Sequence, residues 1–222
     1  MAEHHYQPTV YYNAIGSHEP VLRIQDGDSV TTSTLDSRGG DKNRAKQGPR
    51  PNPVTGPFYI DGAEPGDSIE LVFESIVPNR KIGWTANALA DNVVDPEFVT
   101  ELPTREMLMW EVDQEKWQAR MVEPLPTLGH WTLPLSPFLG CFGVAPTHGQ
   151  AISTATSGPY GGNMDYRGFK TGVSIYLPVF VEGALLQIGD GHGFQGDGEN
   201  VGTRLEISMD VRFRVKLRKN KT

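Results

Sequence analysis

The glycine-rich segment at residues 189–202, GDGHGFQGDGENVG, holds the side chains of this sequence best suited to chemistry. Six of its fourteen residues are glycine, and it carries Asp190, His192 and Glu199 together with the amide of Gln195. Glycine at this density lets the backbone adopt positive φ and pass close to a bound group. Carboxylates near an imidazole suit a divalent cation. The segment indicates a metal or active-site loop, and the alternative is a loop whose carboxylates only cap their own backbone.

Two further polar positions extend this candidate site. Asn163 and Asp165 lie in GPYGGNMDYR at residues 158–167, where neighbouring glycines permit close backbone approach. Local hydrogen bonding within that loop is an equally good explanation. Asp36 ends a predicted strand and opens a long polar loop over residues 36–57, a usual place for a functional residue. A single Asp at such a point is more often a turn initiator.

Composition limits the class of protein. With 222 residues, 37% of them hydrophobic, and a mean hydropathy of −0.39, we expect one globular domain over residues 1–222. The net charge of −7 argues against a nucleic-acid partner, because phosphate contacts need Lys and Arg. The sequence shows no apolar run of the roughly 18 residues that a membrane span needs, and its first residues do not resemble a secretory signal. We therefore expect a cytoplasmic protein without a membrane partner.

The elements that position these residues read mostly as strands. The 25 glycines and 17 prolines are spread along the chain and indicate short elements joined by turns. We predict an all-β fold, an antiparallel sandwich or barrel-like structure with long loops and at most short helices. Alternating apolar and polar residues predict strands at 21–35 (around a turn) and 205–217, a turn followed by a β-branched run predicts one at 68–77, and an apolar run predicts one at 174–181.

Three local features refine this prediction. Two alternating runs separated by DQEK favour a hairpin over a helix at residues 106–123. Asp95 before Pro96 predicts a short helix there, and Pro178 places its strand at an edge or a bulge. The basic face of the last strand, between residues 205 and 217, is interpreted as a solvated surface whose charges discourage edge pairing.

Four segments carry a resemblance to a known family, in that family's order: TLDSRGGD (34–41), NPVTGPFYIDGAEPGDSIELVF (52–73), PLSPFLGCFGVAP (134–146) and GGNMDYRGFKTGVSIYLPVFVEGALLQIGDGHGFQGDGE (161–199). Over about residues 8–208 the chain resembles the acetamidase/formamidase family. The resemblance implies a β-rich fold, hydrolysis of small aliphatic amides to a carboxylic acid and ammonia, and a divalent metal. It also implies further strands and a helical region after the GDGE segment. Of these, the present sequence contains one basic strand, before Thr222.

Carried onto this sequence, the resemblance places the site at Asp36, Asp165, Asp190, His192 and Glu199. We expect Asp36, Asp165 and His192 to hold the metal, with zinc as the first choice and calcium as the alternative. Glu199 is expected to take the proton of the attacking water and pass it to the leaving amine. Asp190 is expected to orient His192.

Asn163 and Gln195 are expected to contact the substrate, a small-molecule amide, and the resemblance makes a homodimer the expected assembly. Two other functions stay open at this point. The same acids would serve a non-catalytic β-sandwich that binds Ca²⁺ and a carbohydrate or partner protein. The enzyme could also act on a bulkier amide, a lactam or a carbamoyl compound.

Overall fold

The computed structural model describes residues 1–129 and 131–221, and almost all of its regular structure is β-strand. The described helical segments are short 3-10 helices at Asp91–Val93, Pro96–Glu101 and Thr147–Gly149. The all-β prediction is therefore confirmed. The strands, in chain order, are β1 (Glu3–His5), β2 (Ala14–Gly16), β3 (Leu22–Ile24), β4 (Ser29–Ser33), β5 (Val54–Ile60), β6 (Ser68–Pro78), β7 (Ile82–Ala86), β8 (Met107–Asp113), β9 (Gln118–Met121), β10 (Thr132–Pro134), β11 (Phe138–Gly143), β12 (Ala151–Ser153), β13 (Ser157–Gly158), β14 (Gly161–Asn163), β15 (Ser174–Pro178), β16 (Leu186–His192) and β17 (Met209–Arg218).

These strands form four sheets. One has five strands in the order β1-β4-β17-β6-β15, and another has six in the order β13-β14-β11-β16-β5-β3. A four-stranded sheet, β10-β9-β8-β7, and the pair β12-β2 complete the set. The pairing is antiparallel except between β1 and β4 and between β3 and β5.

The five-stranded and six-stranded sheets pack face to face. The ring of Phe213 on β17 lies 5.1 Å from that of Phe58 on β5, and Phe73 on β6 lies 5.4 Å from Phe142 on β11. All four side chains are fully buried. Burying a phenylalanine contributes about 1.5–3 kcal/mol, so these pairs hold the two layers together as a sandwich. The six-stranded layer has β16 near its centre.

Several local predictions from the sequence are confirmed. β8 and β9 form the hairpin expected at residues 106–123, with Trp110 opposite Met121. A 3-10 helix begins at Pro96, directly after Asp95. Pro178 ends β15, which is an edge strand. None of the described helices is long and apolar enough to cross a membrane.

The interpretation of the last strand needs correction. β17 is not an edge strand: it lies between β4 and β6, and β6 pairs with it along its whole length while β4 pairs with residues 210–214. Its basic side chains form ion pairs with acids of neighbouring strands, as Arg212 does with Glu74 at 2.8 Å and Arg218 with Glu70 at 3.3 Å. The alternation identified the exposed face correctly, but charge alone does not reveal which strands lie on either side.

Candidate metal centre

β16 places an aspartate and a histidine side by side in the interior. Asp190 and His192 are two residues apart on this strand, so their side chains project from the same face. Both are fully buried, and Nε2 of His192 lies 3.1 Å from Oδ1 of Asp190. The ring of Phe138 on the neighbouring strand β11 packs against the imidazole, with 4.8 Å between ring centroids. The strand and this aromatic contact fix the two side chains.

Asp165 joins this pair from the loop after β14. The backbone N–H groups of Met164 and Asp165 both donate to the carbonyl oxygen of Gly140, at 3.0 and 3.1 Å, which ties the loop to β11. Asp165 has a positive φ of 49° and accepts a hydrogen bond from Nδ2 of Asn163 at 2.6 Å on Oδ2. One possible ligand atom from each of Asp165, Asp190 and His192 falls within 4.8 Å of the others. Together they can hold a metal ion.

Gly140 leaves the space in which these three side chains meet. A Cβ atom at this position would overlap Oδ1 of Asp165 and Cε1 of His192, and would lie 2.9 Å from Oδ2 of Asp190. No positive φ is involved here, so it is space rather than backbone conformation that favours glycine.

The side-chain atoms of the cluster that could bind a metal are buried, and five of them have no hydrogen-bond partner among the described residues. They are Oδ1 of Asp165, both carboxylate oxygens of Asp190 and both ring nitrogens of His192. A buried polar group without a partner is costly, and a buried charge is more so. Coordination of a divalent cation would satisfy these atoms together, so the residues present fit a metal.

Burial also shifts the acid–base behaviour of the cluster. It raises the pKa of Asp165 to about 6, with the neighbouring charge of Asp190 adding to the effect. It raises the pKa of Asp190 to about 6 and lowers the pKa of His192 to about 4. Each shift disfavours the charged form, as expected for groups removed from water.

A buried arginine connects the cluster to Glu199. The Arg204 guanidinium contacts the carboxylates of both Asp165 and Glu199 through Nη2, and its Nε donates to Oε1 of Gln195 at 2.9 Å. Burial acts to lower the pKa of Arg204, but the surrounding carboxylates outweigh it and raise the pKa. For Glu199, burial is the largest cause and raises the pKa to about 7.

Glu206 is a second carboxylate beside the histidine. It is 1% exposed, and its Oε1 lies 3.6 Å from Nε2 of His192. Oε1 also accepts a hydrogen bond from the backbone N–H of Arg204 at 3.1 Å, whereas Oε2 is buried with no hydrogen-bond partner among the described residues. The Glu206 carboxylate therefore borders the same centre.

A small cavity opens next to this centre. Its volume is about 350 Å³, and Asn163, Glu199, Arg204 and Glu206 contribute to its lining. A larger cavity of about 710 Å³ lies elsewhere, between the N-terminal segment and β4, and none of the cluster residues lines it. We assign the chemistry to the smaller cavity, because two of its lining residues contact the cluster: Glu206 lies beside His192, and Arg204 pairs with Asp165.

The fold has counterparts in known proteins. The crystal structure of an acetamidase from Yersinia enterocolitica superimposes with a TM-score of 0.84 at 30% sequence identity, covering 99% of this chain and 69% of that one. The chain belongs to the acetamidase/formamidase family. A model described as the Acetamidase/Formamidase family matches residues 147–222, which include every residue of the metal cluster.

Two curated relatives agree with this membership of the acetamidase/formamidase family. An acetamidase of Mycolicibacterium smegmatis is 28% identical over 195 residues, covering 66% of this chain and 48% of the relative. A protein of Schizosaccharomyces pombe, named as a candidate formamidase, is 24% identical over 253 residues and covers 89% of this chain. The chain spans 61% of the length of the yeast relative.

The structure of this family member brings most of the expected site residues together. Asp165 and His192 meet as expected, and Asp190 offers its own carboxylate to the same centre. Glu199 lines the adjoining cavity. Asp36 is placed differently. Its Oδ1 accepts hydrogen bonds from two backbone N–H groups, and its Oδ2 is paired with Arg80 at 2.7 Å, so it stands outside the group of available ligand atoms.

The two expected substrate contacts occupy different positions. Asn163 lines the cavity, where its Oδ1 accepts a hydrogen bond from Asn52 at 2.8 Å. The amide of Gln195 bridges Nε of Arg204 and the carbonyl oxygen of Asp165, the latter at 3.0 Å. Both amides thus hold other site residues in place.

Arg204 and Glu206 were not identified from the sequence. The alternation beginning at Leu205 assigns Glu206 to the exposed face of a strand. At this point the chain instead pairs with His192 on one side and Trp84 on the other, which encloses the Glu206 side chain. The sequence feature that could have identified them is an arginine and a glutamate on either side of Leu205, directly after the glycine-rich segment.

Proposed function

We propose that this chain hydrolyses a small aliphatic amide of the formamide or acetamide type to a carboxylic acid and ammonia, using a divalent metal held by Asp165, Asp190 and His192. One observation carries the proposal. One ligand atom from each of these three residues lies within 4.8 Å of the others, and five of their nitrogen and oxygen atoms are buried with no hydrogen-bond partner among the described residues. The names of the relatives support the amide chemistry.

Zinc suits this donor set better than calcium does. Zn²⁺ accepts imidazole nitrogen together with carboxylate oxygen, and catalytic zinc sites use three protein ligands and keep one position open. Ca²⁺ needs about six to eight oxygen ligands. When bound, zinc polarises a carbonyl and lowers the pKa of water from roughly 15.7 to about 7 in the best cases.

Asp190 takes a different role in this proposal from the one expected from the sequence. Both of its oxygens lack a hydrogen bond among the described residues, whereas Oδ2 of Asp165 accepts one from Asn163, so Asp190 is better placed as a ligand than as a partner that orients His192. Glu206, with Oε1 3.6 Å from the same Nε2 of His192, is a further carboxylate beside the centre. Asp36 instead organises the loop: it accepts hydrogen bonds from the backbone N–H groups of Arg38 and Gly40 and pairs with Arg80.

Glu199 supplies the acid–base step. It lines the cavity, and the guanidinium of Arg204 holds its carboxylate. It removes a proton from the attacking water as the oxygen bonds to the amide carbon, and it delivers that proton to nitrogen as the C–N bond breaks. A pKa raised to about 7 by burial allows Glu199 to work in both directions near neutral pH.

The cavity volume of about 350 Å³ sets the substrate size. It is near the lower end of the range for ligand pockets, roughly 300–1,000 Å³, and favours a short acyl chain. Asn163 lies in the wall of this cavity and is our candidate for a contact with the amide group.

Ammonia release from formamide and acetamide tests the proposed function. Purified protein is assayed as isolated, after treatment with a chelator, and after Zn²⁺ is added back. We expect the chelator to abolish release and zinc to restore it. Release that a chelator leaves unchanged would exclude the metal role, and no release from any amide in a panel of rising acyl size would exclude amide hydrolysis. Retention of Ca²⁺ alone, without hydrolysis, would favour the non-catalytic alternative.

A further inference from the structure

Three arginines line the cavity together with the catalytic carboxylates. They are Arg38, Arg50 and Arg105. None of them forms an ion pair with a carboxylate within the described parts of the chain, whereas the deeper Arg204 pairs with Asp165 and Glu199. No carboxylate of the described residues therefore lies within ion-pair distance of their guanidinium groups, in a protein whose net charge is −7.

The guanidinium of Arg38 is held in place. It stacks on the ring of Trp84, with 4.4 Å between the guanidinium carbon and the ring centroid, and its Nη1 contacts Sδ of Met107 at 2.6 Å. The backbone N–H of Arg38 donates to Oδ1 of Asp36 at 3.0 Å. A guanidinium fixed in this way loses little further freedom when it binds a ligand.

The other two arginines lie close enough to act with Arg38. Burial lowers the pKa of Arg38, the positive charges of Arg50 and Arg105 lower it further, and the more weakly acting charges of Asp36 and Glu206 only partly offset this. Arg50 and Arg105 are exposed, and Nη2 of Arg105 contacts the carbonyl oxygen of Val201. Three clustered cations repel one another, and an anion placed between them relieves that repulsion.

The cavity lining thus carries both acidic and basic side chains. Glu199 and Glu206 supply its acidic lining beside the metal cluster, and the three arginines supply guanidinium groups that form no ion pair among the described residues. A neutral amide group suits the acidic part, where the reaction takes place. A carboxylate suits the arginines, because the planar guanidinium matches its two oxygens.

We propose that Arg38, Arg50 and Arg105 bind a carboxylate at the far end of the substrate, so that the preferred substrates are short amides that also carry a carboxylate. This inference rests on the proposed amide hydrolysis and specifies its substrate class. The arginines act as specificity determinants: they raise the affinity for the anionic amide and steer it into the cavity against the negative charge of the whole protein.

The first test compares succinamate, the monoamide of succinic acid, with butyramide, which has the same carbon chain and no carboxylate. The quantity measured is the ratio of kcat/KM for succinamate to that for butyramide. We expect Arg38→Gln to lower this ratio on the order of tenfold, because a partly buried charged contact is lost. The exposed Arg50→Gln and Arg105→Gln should each lower it by roughly two- to fivefold.

Arg23→Gln is the matched control. Arg23 is 62% exposed in its side chain, pairs with Asp61 and does not line the cavity, so its variant should keep the wild-type ratio. Arg38→Lys should restore part of the lost preference, because it keeps the charge. Rising salt should lower the wild-type ratio and leave that of the triple Gln variant nearly constant.

Calorimetric binding separates this inference from the proposed function. Succinamate and butyramide are titrated into Glu199→Gln and into Glu199→Gln combined with Arg38→Gln. Binding is measured directly, so neither variant needs to hydrolyse the amide. Preferential binding of succinamate, lost in the double variant, would support the inference even if no amide were hydrolysed. Equal binding of both amides, or the same kcat/KM ratio in the Arg variants and in Arg23→Gln, would overturn it and leave amide hydrolysis standing.

Discussion

Nε2 of His192 lies 3.1 Å from Oδ1 of Asp190, and both atoms are fully buried without a satisfied hydrogen bond. In a hydrogen bond from a neutral histidine to a carboxylate, the N–H points at the accepting oxygen. The His192 ring does not have this orientation toward Asp190. The arrangement instead suits two ligands that point at a shared third atom. Asp165 completes the group from a different loop, and Gly140 leaves the space between them.

Substitution of Gly140 tests whether that space is needed. In Gly140→Ala the new methyl group would overlap Asp165 and His192, so we expect loss of bound metal and of amide hydrolysis, together with a loss of about 1–3 kcal/mol in the free energy of unfolding from overpacking. Metal analysis, ammonia release and urea unfolding measure the three effects. Gly196→Ala, where no atom lies within 4 Å of the new Cβ, should match wild type. Full metal content in Gly140→Ala would show that the ion binds elsewhere.

Removal of the Glu199 carboxylate should separate catalysis from metal binding. Glu199 contacts Arg204 and lines the cavity, and it is not part of the metal cluster. We expect Glu199→Gln to lower kcat by roughly 10²–10⁴-fold while metal content stays at the wild-type level. Steady-state ammonia release and metal analysis of the same preparation give both values. A kcat within a few-fold of wild type would remove Glu199 as the base and direct attention to Glu206.

The buried pair of Asp36 and Arg80 should be a large contributor to stability. Both side chains are 5% exposed, and Nη2 of Arg80 lies 2.7 Å from Oδ2 of Asp36. Arg80→Met leaves the buried carboxylate without its cation, so we expect the free energy of unfolding to fall by about 3–5 kcal/mol. Arg120→Met, which removes an arginine from an exposed pair with Glu111, should cost less than about 1 kcal/mol. Equal costs in urea unfolding would contradict this account of Asp36.

Asp28 should make stability depend on acid pH. Burial alone would raise its pKa, but the backbone N–H of Ala2, the His4 ring and the backbone N–H of Gln25 hold the pKa at about 2. A lowered carboxyl pKa stabilises the fold above the unfolded value of about 3.9, and this contribution is lost as pH falls toward about 2.

The stability difference between wild type and Asp28→Asn should therefore be large at pH 7 and shrink between about pH 4 and pH 2. Urea unfolding at a series of pH values measures it. Asp91→Asn, in an exposed 3-10 helix, serves as the control and should show no such trend. A difference that stays constant with pH would mean that Asp28 acts through its shape and not its charge.

The sequence predicted the fold class because its strands alternate and are separated by clear turn residues. The hairpin of β8 and β9 followed from period two on both sides of DQEK, and the edge position of Pro178 followed from its missing N–H. The neighbours of β17 could not be predicted, because strand order depends on contacts far apart in sequence. The homodimer and the cytoplasmic location stay predictions.

The site was predictable where residue type and spacing carry the information. Asp190 and His192 share one strand face, and the glycines around them marked the segment. Asp36 looked equivalent by residue type alone, yet Arg80 and two backbone N–H groups occupy its oxygens. Arg204 and Glu206 were missed, because burial of Glu206 depends on pairing with His192 and Trp84, which local periodicity does not encode.

Metal content of the purified protein, compared between wild type and His192→Ala, tests the central claim most directly. The account predicts about one divalent ion per chain in wild type, with zinc in excess of calcium, and little or none in His192→Ala, because one of the three assigned ligands is lost. His148→Ala, which removes an exposed histidine, is the control and should retain the wild-type content. Full metal occupancy in His192→Ala would contradict the assignment of Asp165, Asp190 and His192 as the metal centre.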